Sequence, residues 1–322
     1  MAQKTRSKFS SDKHASCSGL PALFGISKHE TRTEYMQSRL DARAGKVKEK
    51  TFSRAAEMGH KLENTILQLP VEHFGLTNFE HDLEYAVEHP DYPLQGSIDG
   101  IAKANNLTIK PDNDFIYTED DDEILIDGKG ILEAKATAIL PSSDGKPPLY
   151  RGVLQVKALM AITQYSWAMI STLHSSTLPK ICVYQRDFAF ERDLKETILD
   201  FERRLKEKDY YPPVTHSDTQ IMFPVAEKDK AIDLDTDEVT NLCKTILNGK
   251  EQVKSINSTI TQAEIRLQEI MGNASIGHNK NYTIKWGSRT YKAQPEKVIP
   301  AKDGYTVRNK SVAININETS AD

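Results

Sequence analysis

Residues 131–137, ILEAKAT, set a carboxylate and an ammonium two positions apart inside a run that otherwise reads as a buried strand. Strand side chains alternate between faces, so Ile131, Glu133, Lys135 and Thr137 share one side and Leu132, Ala134 and Ala136 the other. An unpaired buried charge is costly, so the charged face lies in water, pairs with itself, or binds something charged. A divalent metal carrying a nucleic-acid phosphate meets the third condition. The spacing alone is not distinctive, because 46 acidic residues in a Lys-rich chain give about four acid-x-Lys matches by chance. Asp127-Gly-Lys129 falls in a DG turn and Asp193-Leu-Lys195 at a helix start, whereas Glu133 and Lys135 have apolar neighbours on the opposite face of a strand.

A second acid stands in QGSIDGIAK, where Asp99 is expected in another strand between Gly96 and Gly100, with Ser97 and Ile101 on its face. Glycine within a strand often marks the close approach of a ligand or another backbone. If the two strands are neighbours, Asp99 and Glu133 can hold one hard cation through oxygen, with the Ala134 carbonyl as a third ligand. The cation would lower the pKa of a bound water and neutralise a phosphate oxygen, while Lys135 orients the nucleophile or stabilises developing negative charge. The alternative is a surface ion pair between Glu133 and Lys135 with Asp99 in a turn. Two helical residues add to the set. Glu63 can bring a further carboxylate, and Gln155 is a polar side chain in an otherwise core-like segment; each taken singly also reads as an ordinary surface residue.

The elements that must position these residues follow from capping and periodicity. Ser27 with Glu30, and Thr31 with Glu34, form capping boxes ahead of a helix through YMQSRLDAR. A second helix is expected from about Thr51 to Leu69, with Met58, Leu62, Ile66 and Leu69 at helical spacing and Gly59 and Glu63 on a neighbouring face. Then come five strand-like runs, DLEYAVEH, LQGSIDGIAKA, DFIYT, EILIDG and GILEAKAT, divided by HPDYP and DGKG. The acidic TEDDDE, 118–123, reads as a solvated hairpin. LYRGVLQVKALMAITQYSWAMISTL, 149–173, reads as one amphipathic helix backing the sheet. KICVYQR with FAFERD suggests a hairpin, and LKETILDFERRLKEK a closing helix. The expected whole is an α/β core, a central mixed sheet flanked by helices, over residues 1–225.

Residues 226–275 differ in character. Val239, Leu242, Ile246, Gly249, Val253, Ile256, Ile260, Ala263, Leu267 and Ile270 alternate spacings of three and four, a heptad-like seam. The seam would pack on the chain's own core, self-associate or meet a partner surface, and Asn248-Gly249 could instead break it into a helical hairpin. Residues 276–322 suggest a small β element and a flexible tail.

Composition bounds the partners. Net charge is −4, but the segment up to Lys61 is basic while Glu72 to Asp127 is acidic, so the first could face a phosphate backbone. No run approaches the roughly 18 apolar residues of a membrane span. The N-terminus is basic and polar without the apolar stretch of a secretory signal, so a cytoplasmic location is expected. Cys17, Cys182 and Cys243, three and scattered, suit a reducing compartment and cannot supply a four-thiolate iron–sulfur or zinc site.

Taken in order, GxxxE from Gly59 to Glu63, GSIDG with Asp99, LEAK with Glu133 and Lys135, and QVK with Gln155 resemble the PD-(D/E)XK nuclease superfamily. The likeness within it is to the YqaJ-like viral recombinase group that includes phage lambda exonuclease. SCSGLPALFGISKHETRTEYM is similar to that group's opening segment, with Ser18, Gly25, Ser27 and Thr31 at its landmarks. The resemblance covers about residues 14 to 205 and implies a restriction-endonuclease-like core. It implies Mg²⁺-dependent phosphodiester hydrolysis with one or two ions, for which Mn²⁺ substitutes. Asp99, Glu133 and the Ala134 carbonyl would be metal ligands, Lys135 the catalytic lysine, Glu63 an additional acid near the metal and Gln155 a supporting residue.

It further implies a 5′-phosphate pocket matched by Ser18 and Ser97. The pocket's arginine has no counterpart shortly before Ser18; Lys13, Lys8 and Arg6 are the basic residues there, and a lysine lacks the forked geometry. SIDG stands where the family has SPDG, and Lys157 where it often has a second Gln.

The resemblance implies a phage-type recombination exonuclease working 5′ to 3′ on double-stranded DNA ends, a single-strand annealing partner and a homo-oligomer in the form of a ring trimer. The runner-up enzyme reading is a RecB-like nuclease of the same superfamily, whose members typically carry a four-cysteine iron–sulfur cluster that three scattered cysteines cannot form. A structure-dependent endonuclease and a non-catalytic DNA-binding or scaffold protein are the competing readings.

Overall fold

A computed structural model describes residues 3–4, 12–46, 54–228 and 230–288. The chain divides into two compact units, Met1–Met222 and Phe223–Asp322. The first opens with β1 (Gln3–Lys4), β2 (Ala15–Ser16), α1 (Leu20–Leu23), α2 (Arg32–Arg43) and α3 (Arg54–Phe74). Strands β3 (Thr77–His81), β4 (Val87–Glu88), β5 (Leu94–Gly96), β6 (Gly100–Ile109), β7 (Ile116–Thr118) and β8 (Ile124–Thr137) follow. It ends with α4 (Leu154–Thr163), β9 (Trp167–His174), β10 (Leu178–Gln185), α5 (Phe188–Glu207) and α6 (His216–Met222).

The central sheet is six-stranded and mixed, in the order β3-β6-β8-β9-β10-β7. β6 and β8 run antiparallel, with Gly100 opposite Leu132 and Ile101 opposite Ile131; β8 and β9 run parallel, with Glu133 opposite Ile170 and Lys135 opposite Thr172. Its two faces bury separate apolar clusters. Ile131 and Ile170 pack with Met36 of α2, Leu159 of α4 and Phe201 of α5, whereas Leu132 and Met169 pack with Leu67 of α3. A small sheet, β1-β4-β5-β2, lies alongside in sequence, with β2 and β5 parallel. This is the expected α/β class.

Several local expectations are corrected. Thr31 and Glu34 do form a reciprocal capping box at the start of α2, but the Ser27 hydroxyl accepts from His29 and Glu30 N–H in a turn outside the helix. α3 runs past Leu69 through Pro70 to Phe74, and its expected start at Thr51 lies outside the described residues. EILIDG and GILEAKAT are one 14-residue strand, and DGKG is not a turn. Asn105 and Asn106 oppose Asp127 alone, which makes a bulge that the strand passes through, with Gly128 at φ +72°. TEDDDE is not a hairpin, since it links β7 at the sheet edge to β8, which β7 does not pair with.

The largest correction falls on 149–173. Only Leu154–Thr163 is regular α-helix; a π turn at Leu149–Val153 precedes it, Gln164 adopts a left-handed conformation, and WAMISTLH continues as β9. A strand covered on both faces is apolar throughout, so its period cannot be told from that of a buried helix. FAFERD is likewise no strand: Asp187 accepts from Ala189 and Phe190 N–H and starts α5 there, leaving β10 to pair with β9.

The second unit holds α7 (Asp237–Met271) and a hairpin of β11 (Ile276–His278) and β12 (Thr283–Lys285). α7 is unbroken at Asn248-Gly249, and none of its residues is buried. The tail from Arg289 onward, including SVAININ, lies outside the described residues. Among the described residues, no helix is long and apolar enough to cross a membrane.

Candidate active site

Alternation along β8 places Glu133 and Lys135 on the same face as Ile131, the face under α4. Glu133 is only 1% exposed, so its charge must be answered within the protein. The answer comes from two directions. Lys135 Nζ donates to Glu133 Oε1. Gln155 Nε2, from the first turn of α4, donates to Glu133 Oε2 at 2.9 Å, and its Oε1 lies 3.5 Å from Lys135 Nζ. One carboxylate, one ammonium and one amide thus form a closed set, with the Lys135 side chain still 28% exposed.

Asp99 lies in the bend between β5 and β6, not within a strand. It reaches the set because β6 pairs with β8 only as far as Gly100 and Leu132. Beyond that rung the Ala134 N–H has no strand partner, and Asp99 Oδ2 accepts it at 3.0 Å. An extended residue points its N–H and C=O to the same side, so the Ala134 carbonyl faces the Asp99 side as well.

Burial pushes the Glu133 carboxyl up from its ordinary pKa and the Asp99 charge pushes it further, against the pull of Lys135, with Glu63 adding in the same upward direction. Burial works against the Lys135 ammonium, but the charges of Glu133 and Asp99 outweigh it and raise its pKa. Glu63, on α3, is thus near enough to act on both; its Oε2 also meets His60 Nδ1 at 3.1 Å.

A buried carboxylate whose charge is disfavoured by burial and by the neighbouring Asp99 suits a cation. Among the described residues, no group of three or more His, Cys, Asp and Glu side chains is placed to hold a metal alone. The set on offer is Asp99, Glu133 and the Ala134 carbonyl, which matches Mg²⁺, an ion that takes one or two carboxylates and keeps water or phosphate oxygens for the rest.

The serines of the expected phosphate pocket follow two paired strands. β2 lies parallel to β5, with Ser16 opposite Gln95; Ser18 is exposed on the 3₁₀ turn Cys17–Gly19 and Ser97 follows Gly96. A Cβ on Gly96 would stand 2.7 Å from Cys17 Sγ and 2.6 Å from Leu159 Cδ2, so this close approach needs glycine. Burial, and next the charge of Glu133, raise the pKa of the Cys17 thiol, which puts this turn beside the carboxylate set. Lys13, exposed before β2, has its carbonyl held by Arg43 Nε at 2.8 Å. Arg6 and Lys8 lie outside the described residues. Lys157 is engaged elsewhere, with Glu119 at 2.6 Å and Asp187 at 3.0 Å.

Three further residues belong to the site. Gly152, at φ +91° in the π turn, faces Lys135: a Cβ there would stand 3.2 Å from Lys135 Cε. Arg151 donates from Nη1 to Thr137 Oγ1 at 2.8 Å and ties the turn to the end of β8. Thr172, opposite Lys135 on β9, buries a hydroxyl that finds no partner among the described residues. The glycine inside an otherwise helical pattern was the one visible signal for the turn; Thr172 was hidden by the misread strand.

No protein-family model matches the sequence, and no curated protein matches it. Among solved structures, the chain is similar to LHK-Exo, an alkaline exonuclease from Laribacter hongkongensis, with TM-score 0.45 and 16% identity over 62% of this chain and 90% of that one. The same enzyme in complex with dAMP gives TM-score 0.45 over 61% and 89%. A phage related exonuclease from Haemophilus somnus 129PT gives TM-score 0.40 and 11% identity over 61% and 94%. These are likenesses of backbone, and the chemistry must be read from the chain's own side chains.

Proposed function

We propose that this chain is a Mg²⁺-dependent DNA exonuclease acting 5′ to 3′ on linear duplex ends and leaving a 3′ single strand, the kind of product a single-strand annealing protein takes up. The supporting observation is the meeting of buried Glu133, Lys135, Gln155 and Asp99 at one end of β8. The resemblance of the ordered motifs points the same way. Asp99, Glu133 and the Ala134 carbonyl would hold the ion, with Glu63 close by. When bound, Mg²⁺ or Mn²⁺ supplies an acidified water and a counter-charge for a phosphate oxygen.

The chain's own groups supply the rest. Lys135, raised in pKa and held between Glu133 and Gln155, carries a fixed positive charge to where negative charge develops on the phosphate. Gln155 fixes the rotamers of both partners through its two amide atoms. Ser18 and Ser97 offer hydroxyls, and Lys13 a charge, to a terminal 5′-phosphate.

The test is digestion of linear duplex with one 5′-phosphorylated end, beside a covalently closed circle, in Mg²⁺ and in EDTA. Mononucleotides released from the phosphorylated strand only, and nothing from the circle, are expected. Cutting of the circle would replace the reading with a structure-dependent endonuclease, and no hydrolysis in Mg²⁺ or Mn²⁺ would leave a DNA-binding or scaffold protein.

A further inference from the structure

α7 carries a seam of unusual regularity. Taking Val239 as a heptad a position, Ile246, Val253, Ile260 and Leu267 are the remaining a residues, and Leu242, Gly249, Ile256, Ala263 and Ile270 are the d residues. The 35-residue helix spans about 52 Å at 1.5 Å per residue. The larger seam residues from Leu242 to Ile270 include six that are 41 to 68% exposed, and no residue of the helix is buried.

The period of this pattern decides what can cover it. A helix lying on a globular core carries an apolar stripe about 100° wide or more, with a 3.6-residue period. Here the stripe is the narrow a/d kind, with Leu247, Ile265 and Met271 the larger apolar residues off it. A strict seven-residue repeat drifts about 20° per heptad around a straight helix, so over this length it stays on one side only if the helix supercoils around a partner with the same repeat.

The flanking positions fit a second copy in parallel register. The g-to-e′ pairs between identical helices would be Thr245–Lys250, Gln252–Asn257, Thr259–Glu264 and Arg266–Met271, none of them like-charged. Among the described residues nothing lies within 4 Å of the place a Gly249 Cβ would occupy, so none of them requires a glycine there.

We infer that α7 is an assembly helix: copies of this chain associate through a parallel, in-register coiled coil along the Val239–Ile270 seam. The inference uses no residue of the first unit and stands whether or not that unit hydrolyses DNA.

Light scattering on the full chain during gel filtration tests it, read across dilution. Wild type is expected at an integer multiple, two or more, of the 36.2 kDa chain. Ile256→Asp with Ile260→Asp should give a monomer, and Ser258→Asp, on the outer face, should change nothing. Gly249→Leu, which removes a helix-weakening residue and fills a d position, should preserve assembly to at least about tenfold greater dilution. In a Cys243→Ser background, Ala263→Cys should form an intermolecular disulfide under mild oxidation and Ser258→Cys should not. A monomeric wild type, an assembly indifferent to the Ile256 and Ile260 changes, or crosslinking at 258 instead of 263 would overturn the inference.

Discussion

Asp127 and Lys129 stand on the same strand as Glu133 and Lys135, six residues earlier and with the same spacing. Both members of the earlier pair are exposed. Asp127 Oδ1 accepts from Asn106 N–H at 3.0 Å across the bulge, a structural task in water. The later pair lies under α4, where Glu133 is buried, its carboxyl is pushed up in pKa, and a second carboxylate and an amide converge on it. Spacing is common to both; burial and the neighbours brought in by α4 and the β5–β6 bend separate them. The lesson is that what is packed over an acid-x-Lys motif, more than its spacing, sets the environment of its charges.

The comparison breaks most sharply by removing the two acids in turn. Glu133→Ala should lower the single-turnover rate of duplex DNA hydrolysis in Mg²⁺ by about a thousandfold or more, the scale of losing a metal ligand or main electrostatic group. Asp127→Ala should leave the rate within about twofold and stability within about 1 kcal/mol, as for a surface hydrogen bond. Equal losses in both would remove the distinction.

A second buried acid tests whether burial alone makes a reactive carboxylate. Asp218 is fully buried, yet its pKa is lowered: burial works to raise it, but the Thr31 hydroxyl and the Val214 and Thr215 N–H groups donate to it and win. Asp218→Ala should cost about 1–3 kcal/mol in urea unfolding near pH 7, because those donors lose their acceptor. A depressed folded-state pKa means the stabilisation is present above the unfolded value of about 3.9 and is lost as pH falls through the folded value. The deficit of the variant should therefore shrink in acid, with nuclease activity at pH 7 retained by the folded fraction.

Two glycines with positive φ sharpen the contrast further. Among the described residues nothing lies within 4 Å of the would-be Cβ of Gly128, in the bulge beside the first pair, whereas that of Gly152 meets Lys135. Alanine at either should cost about 1–2 kcal/mol of backbone strain in chemical denaturation. Gly152→Ala should in addition lower the hydrolysis rate about tenfold by displacing Lys135, since small misplacements of a positioned group are expensive. A loss of the same size is expected from Gln155→Ala, about tenfold in kcat with little change in KM, because the residue holds Glu133 and Lys135 in place.

The gathering of Asp99, Glu133, Lys135 and Gln155 was legible because motif order and strand alternation both speak to it. The means by which they gather was not. Asp99 was expected in a strand and works from a bend, where its carboxylate continues the β6–β8 ladder by one more hydrogen bond, a tertiary relation with no local sign. WAMISTLH reads equally as helix or strand because both its faces are covered, and with it went the pairing of Lys135 with Thr172. DGKG carries turn chemistry that here shapes a bulge inside a continuous strand. The shared face of Glu133 and Lys135 was readable from their own strand; the routes by which Asp99 and Gln155 reach it depend on neighbouring elements and were not.

The most direct measurement is Mn²⁺ binding, followed by the electron paramagnetic resonance of the free ion, for wild type, Glu133→Ala and Asp127→Ala without DNA. Binding by wild type and Asp127→Ala, with loss in Glu133→Ala, is the result predicted for a cation held at the buried end of β8. Undiminished binding by Glu133→Ala, or loss in Asp127→Ala instead, would contradict it.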